Sequence, residues 1–179
     1  MRFPAGLRAL NHADYRRFYV GQCVSQVGSW MQSVGQAWLV LQLTGSPLRL
    51  GLIGTLQFAP VLLFSLFTGA LADRLPKRRV LLCTQIAIAL LAIVLGFLVR
   101  FGHVEYWHVC VLAFVLGCVN TIDMPTRQSF VAELVGKDDI VNAVALNSAA
   151  FNTARIVGPV VAGLLIAGFG VDMAFILNG

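Results

Sequence analysis

The sequence predicts an all-α integral-membrane fold: five complete transmembrane helices and the start of a sixth. Three observations carry that expectation. The 179-residue chain is 58% hydrophobic and only 12% charged, whereas soluble domains run near half apolar and a quarter charged. Its apolar runs reach about 20 residues without a charge, the length a helix needs to cross a hydrocarbon core of about 30 Å. Its Lys and Arg residues fall mostly in short gaps between those runs, ten on one side and two on the other.

The same observations exclude other classes. A net charge of +5 could suit nucleic acid, but the basic residues are spread over connectors rather than along one face, so no nucleic-acid partner is expected. Cys23, Cys83, Cys110 and Cys118 lie in apolar segments with no Cys-x-x-Cys pair, so neither a metal site nor a disulfide framework is expected. No cofactor is implied. No nucleophile–base pair or phosphate loop is visible, which argues against a membrane enzyme.

Residues 1–17 form a basic leader with Arg2, Arg8, Arg16 and Arg17. The apolar stretch after it is too long for a cleavable signal. The first helix is expected at about 18–42, charge-free although Gln22, Gln26, Gln32 and Gln36 interrupt it. The second covers 48–72 and the third 80–99, the two most apolar runs. Pro60 is compatible with a membrane helix, where neighbours satisfy the freed backbone groups. The fourth covers about 104–122, and Pro125 should end or bend it. The fifth lies within 143–169, with Arg155 as its one charge. Residues 172–179 read as a sixth that the chain does not complete. A β-barrel would instead show alternating segments of about 10 residues. Together, 18–179 read as one transmembrane bundle.

Orientation is set by the basic connectors. The leader, the loop with Arg74, Lys77, Arg78 and Arg79, and the loop with Arg127 and Lys137 face only Arg49 and Arg100 on the other side. A multi-pass protein of a bacterial inner membrane, with a cytoplasmic N-terminus, is expected.

Polar groups inside the apolar runs are the candidate functional residues. Gln22, Gln26, Ser29, Ser33 and Gln36 recur at spacings of four and three, within about an 80° arc of one helix. Two readings compete: a lined pathway, or hydrogen bonding between helices, typically worth under 2 kcal/mol per contact. Five such groups on one face exceed what adhesion needs. Gly21, Gly28 and Gly35 make a second stripe, suited to close helix packing. Arg155 shares a face with Ser148 and Asn152. A mid-membrane arginine costs at least about 2.5 kcal/mol on insertion scales and marks a pathway or a structural partner. Asp123 sits at the end of the fourth helix, beside Arg127.

The segment Gly69-Ala-Leu-Ala-Asp73-Arg74-Leu-Pro76-Lys77-Arg78-Arg79 resembles the signature between helices 2 and 3 of the major facilitator superfamily, with Pro76 at a position where glycine is usual. Ala154-Arg155-Ile-Val-Gly158-Pro159-Val-Val-Ala162-Gly163 is similar to that superfamily's antiporter signature, with alanine replacing two glycines. Trp30-Met31-Gln32, Trp38 to Pro47, and Asp123-Met-Pro125-Thr-Arg127-Gln128 further resemble its enterobactin-exporter-like and drug-efflux subgroup. The resemblance implies two six-helix bundles, of which this is the N-terminal one. It also implies a small-molecule substrate near the midplane, alternating access and export coupled to protons. By motif position, Gly69, Asp73, Arg74, Lys77, Arg78, Asp123 and Arg127 would form a cytoplasmic gate. Gly158, Pro159 and Gly163 would shape helix-5 packing.

A siderophore-like or drug-like exporter is therefore the leading expectation. A non-transporting scaffold or accessory subunit is the alternative, and it predicts neither the polar stripe nor the gate signature. The chain is expected to be an incomplete product, inactive without a C-terminal six-helix bundle.

Overall fold

The computed structural model describes residues 4–72 and 75–179, with the side chains of 5, 65–67 and 69–72 left aside. A short 3-10 helix, Ala5–Asn11, leads into α1 (Ala13–Thr44), α2 (Pro47–Ala72), α3 (Lys77–Arg100), α4 (Tyr106–Phe169) and α5 (Val171–Asn178). Local chemistry sets several boundaries. α1 stops at Gly45, whose left-handed backbone (φ 60°) lets its N–H return to Leu41 O at 2.8 Å. α2 opens on Pro47, where no N–H is needed. α4 opens on a capping box formed by Glu105 and His108.

The architecture corrects the expected five complete transmembrane helices and the start of a sixth. The described residues hold six helical elements. Three of them are long and apolar enough to cross a membrane by length and composition: the Pro47–Phe64 stretch of α2, then α3, then α4. α1 has the length, but its polar residues dilute its apolar character. The predicted fourth and fifth helices, 104–122 and 143–169, fall within one element, because every intervening residue except Gly136 is helical too. The final segment is an eight-residue helix, about 12 Å long.

Pro125 does not end the helix, which continues through it. A proline there removes the N–H that would bond Thr121 O. The Thr68 hydroxyl of α2 supplies the donor instead, at 2.8 Å, so the freed carbonyl stays satisfied. The interruption comes at Gly136, with φ 72° and ψ 177°, a conformation essentially confined to glycine. Contacts along α1 trace the chain on either side of it. The Tyr15 hydroxyl donates to Ala143 O, and Met31 packs with Ala162, so the later stretch of α4 rises with α1. Gln22 meets Arg127, and Val40 packs with Val109 and Ala113, so the earlier stretch descends against it. α4 therefore doubles back at Gly136, with α1 against both stretches.

Small residues make these approaches possible. Ala143, Ala150, Ala154, Gly158 and Ala162 form a buried stripe on α4. A Cβ on Gly158 would lie 2.5 Å from Trp30 Cβ and 3.1 Å from Val27 O. Of the predicted glycine stripe, Gly35 lies against Phe175 and Gly28 against Asn178, both of α5, while a Cβ on Gly21 would meet no other described element within 4 Å.

Two apolar clusters close the bundle. At one end Leu39, Val40, Ile53, Leu95, Val109, Ala113, Val171 and Phe175 bring all five α-helices together. At the other, Ala9, Tyr15, Val135, Ala143 and Leu146 pack under the 3-10 helix. Asn142 holds that helix through Ala9 N at 2.9 Å and Gly6 O at 2.6 Å. Burial, with Tyr19 and Cys23 nearby, pushes the Tyr15 phenol up to about 12, so it remains a neutral donor. Between those clusters α1 carries the polar stripe on one face and Met31, packed with Ala162 and Ala174, on another.

Candidate functional site

The first polar layer centres on Asp123, only 4% exposed. Its Oδ1 accepts from Thr84 Oγ1 at 2.5 Å and Gln85 Nε2 at 3.3 Å, both on α3. Its Oδ2 accepts from Arg127 Nε at 3.0 Å and Nη2 at 2.6 Å, one turn along α4. Arg127 Nη1 also donates to Gln22 Oε1, and Ser25 Oγ donates to Gln85 Oε1 at 3.2 Å. The arrangement ties α1, α3 and α4 together through a buried ion pair whose lone pairs and donors are well used. A desolvated pair is tolerated in such surroundings only when hydrogen bonds complete it.

The second layer is a cavity of about 180 Å³ lined by Ser29, Gln32, Ser33 and Gln36 of α1, Gln57 of α2, Ile88 of α3, and Leu116 and Asn120 of α4. Gln57 Nε2 donates to Gln36 Oε1 at 3.1 Å. Asn178 Nδ2 donates to Gln32 Oε1. Asn120 and Ser33 make no hydrogen bond with any described residue. Among the described residues, no charged side chain lines the cavity.

The predicted pathway residues thus divide. Ser29, Ser33 and Gln36 line the cavity. Gln22 belongs to the ion-pair layer. Gln26 Nε2 reaches Asn147 Oδ1 at 3.3 Å, and its buried Oε1 has no partner among the described residues. Asn152 and Arg155 are exposed on the later stretch of α4. Asn152 bonds back to Ser148 O at 2.8 Å, and the Arg155 guanidinium lies 5.9 Å from the centroid of the Trp30 ring.

Among the gate residues, Asp73 and Arg74 lie outside the described residues, as do the surroundings of Gly69. Lys77 is 14% exposed and pairs with Glu133, and Arg78 is exposed. In the packing motif, Gly158 is the close-approach residue, Pro159 is half-buried, and Gly163 has open space around it.

Sequence reasoning missed Gln57, Thr84, Gln85, Asn120 and Glu133 as site residues. Gln57, Thr84 and Gln85 each interrupt an apolar run, and Asn120 lies one turn before Asp123. Polarity inside an apolar run was the available signal.

Comparison with known proteins extends this description. Residues 5–179 match the family described as transmembrane secretion effector. The chain is 27% identical over 160 residues to the staphyloferrin A transporter of Staphylococcus aureus, covering 89% of this chain and 40% of that protein. It is 29% identical over 169 residues to the uncharacterized MFS-type transporter YfiS of Bacillus subtilis, covering 94% and 39%. It is 32% identical over 148 residues to the multidrug efflux pump Tap of Mycolicibacterium fortuitum, covering 80% and 36%. The chain spans about two fifths of the length of these relatives.

Proposed function

The chain belongs to the transmembrane secretion effector family of the major facilitator superfamily, and on that premise we propose that it forms one side of an export pathway for small molecules. It is a multi-pass membrane protein of a transport family rather than an enzyme family. The finer reading is a siderophore-like or drug-like substrate, related to the enterobactin-exporter-like group. The names of the staphyloferrin A transporter and the multidrug efflux pump support it. In this reading the bundle works by alternating access against a second six-helix bundle. The N-terminus and the Lys77 and Lys137 connectors lie on the cytoplasmic side of a bacterial inner membrane. Protons are the coupling ion, and Asp123 is the carboxylate buried among the described residues.

One observation carries the proposal. Polar groups from α1, α2 and α4 converge on a cavity inside an otherwise apolar bundle, beside a buried ion pair. Helix adhesion alone needs pairwise contacts, whereas here amides and hydroxyls surround a space. The test is solute accumulation in an efflux-deficient host expressing the complete reading frame that encodes this chain. A panel of macrolides, other antibiotics and iron chelators should include at least one solute whose accumulation falls. Gln36→Leu and Asp123→Asn should restore it to the empty-host level, and a protonophore should do the same. Unchanged accumulation across the panel, with protein present in the membrane, refutes the reading.

A further inference from the structure

We propose that the cavity takes an uncharged, hydroxylated ring and discriminates against groups that carry formal charge. The inference rests on the cavity being the substrate site and adds the chemistry of what enters it. Its polar lining consists of carboxamides and hydroxyls: Gln32, Gln36, Gln57, Asn120, Ser29 and Ser33. A carboxamide offers two donors and an acceptor, and a hydroxyl offers both functions. Such a lining can answer a ligand hydroxyl whichever way it points.

The lining cannot neutralise an ion. A charge leaving water for a site without a counter-charge loses hydration that neutral dipoles replace only in part. The nearest charges along the chain, Asp123 and Arg127, are committed to each other and to Thr84, Gln85 and Gln22. Arg155 lies over the Trp30 ring and is not a lining residue.

Hydrogen-bonding capacity is left over for a ligand. The Gln57–Gln36 bond uses one donor and one acceptor, leaving a donor pair on Gln36 and the carbonyl of Gln57. Asn120 and Ser33 are uncommitted among the described residues. The remaining wall, Ile88 and Leu116, is apolar and suits the flat face of a ring. Size agrees: the cavity measures about 180 Å³, and an apolar cavity of roughly 150 Å³ in another protein holds benzene.

Three matched probes test this with the purified 179-residue chain in lipid nanodiscs, by equilibrium dialysis at pH 6.5. They are radiolabelled methyl β-glucoside, its glucuronide (an anion) and its 2-amino-2-deoxy analogue (a cation). The glucoside should bind saturably and about tenfold or more tighter than either charged analogue, as expected where ligand hydroxyls meet built partners. Asn120→Leu should weaken it by about tenfold. Asn120→Asp, which adds a carboxylate to the lining, should turn the preference toward the amino analogue. If a charged probe binds wild type as tightly as the glucoside and Asn120→Leu still weakens it, the uncharged class is overturned while the cavity stands. If no probe binds saturably to helical, monodisperse protein, or if neither Asn120 variant alters binding, the substrate-site reading falls as well.

Discussion

Asp123 and Arg127 stand four residues apart on α4, yet their surroundings come from α1 and α3. Removing one partner of a buried pair leaves the other charged and unsatisfied, at a cost of roughly 3–5 kcal/mol, whereas neutralising both costs much less. Arg127→Leu should therefore lower the unfolding midpoint in detergent sharply, and the double change Asp123→Asn with Arg127→Leu should recover most of the loss. Equal loss in single and double variants would show that the pair has no such coupling. The sequence marked Asp123 and Arg127 by position in a signature, and marked Gln22 by its place on a polar stripe. It did not place Gln22 on Arg127, because those residues are 105 positions apart and helical periodicity reports only the face a residue occupies.

At the scale of the element, α4 is where local rules and the fold part company. Pro125 reads as a helix end from propensity alone. In the bundle, the carbonyl it frees at Thr121 is buried and receives the Thr68 hydroxyl from α2. Hydrogen bonds between membrane helices average about 0.6 kcal/mol because alternative partners exist. Here the usual backbone donor is absent, so the value should lie nearer the cost of an unsatisfied buried carbonyl, about 1–3 kcal/mol. Thr68→Val should destabilise the chain by about 1–2 kcal/mol in a denaturant titration. The same substitution with Pro125→Ala, which restores the backbone donor, should lose much less. The sequence placed a connector holding Lys137 between the predicted fourth and fifth helices, but it did not single out Gly136 as the extended, positive-φ residue on which the chain turns.

At the scale of the molecule, polar layers lie between two apolar clusters, and α1 passes through them all. The cluster beneath the 3-10 helix holds the leader to the start of the later α4 stretch, reinforced by the His12–Asp139 contact at 2.9 Å. Lys77, paired with Glu133, begins α3, and Lys137 comes directly after the Gly136 break. If the proposed sidedness holds, alkaline phosphatase fused at either lysine should be inactive and green fluorescent protein fused there should fluoresce. The opposite pair of results would invert the orientation.

What the sequence determined by itself is the solvent and the local geometry: long runs of apolar residues must be helical where water is scarce, and a three-and-four spacing of glutamine and serine must lie on one face. The polar interruptions of α1 were also legible, whereas Gly158 was singled out only through a motif resemblance. The division of that polar stripe between an ion pair, a helix contact and a cavity was decided only by tertiary structure. So were the continuity of α4 through Pro125 and the placing of its reversal at Gly136 rather than directly after residue 122. Each depends on which group from a distant segment comes within hydrogen-bonding distance, and chain periodicity carries no information about that distance.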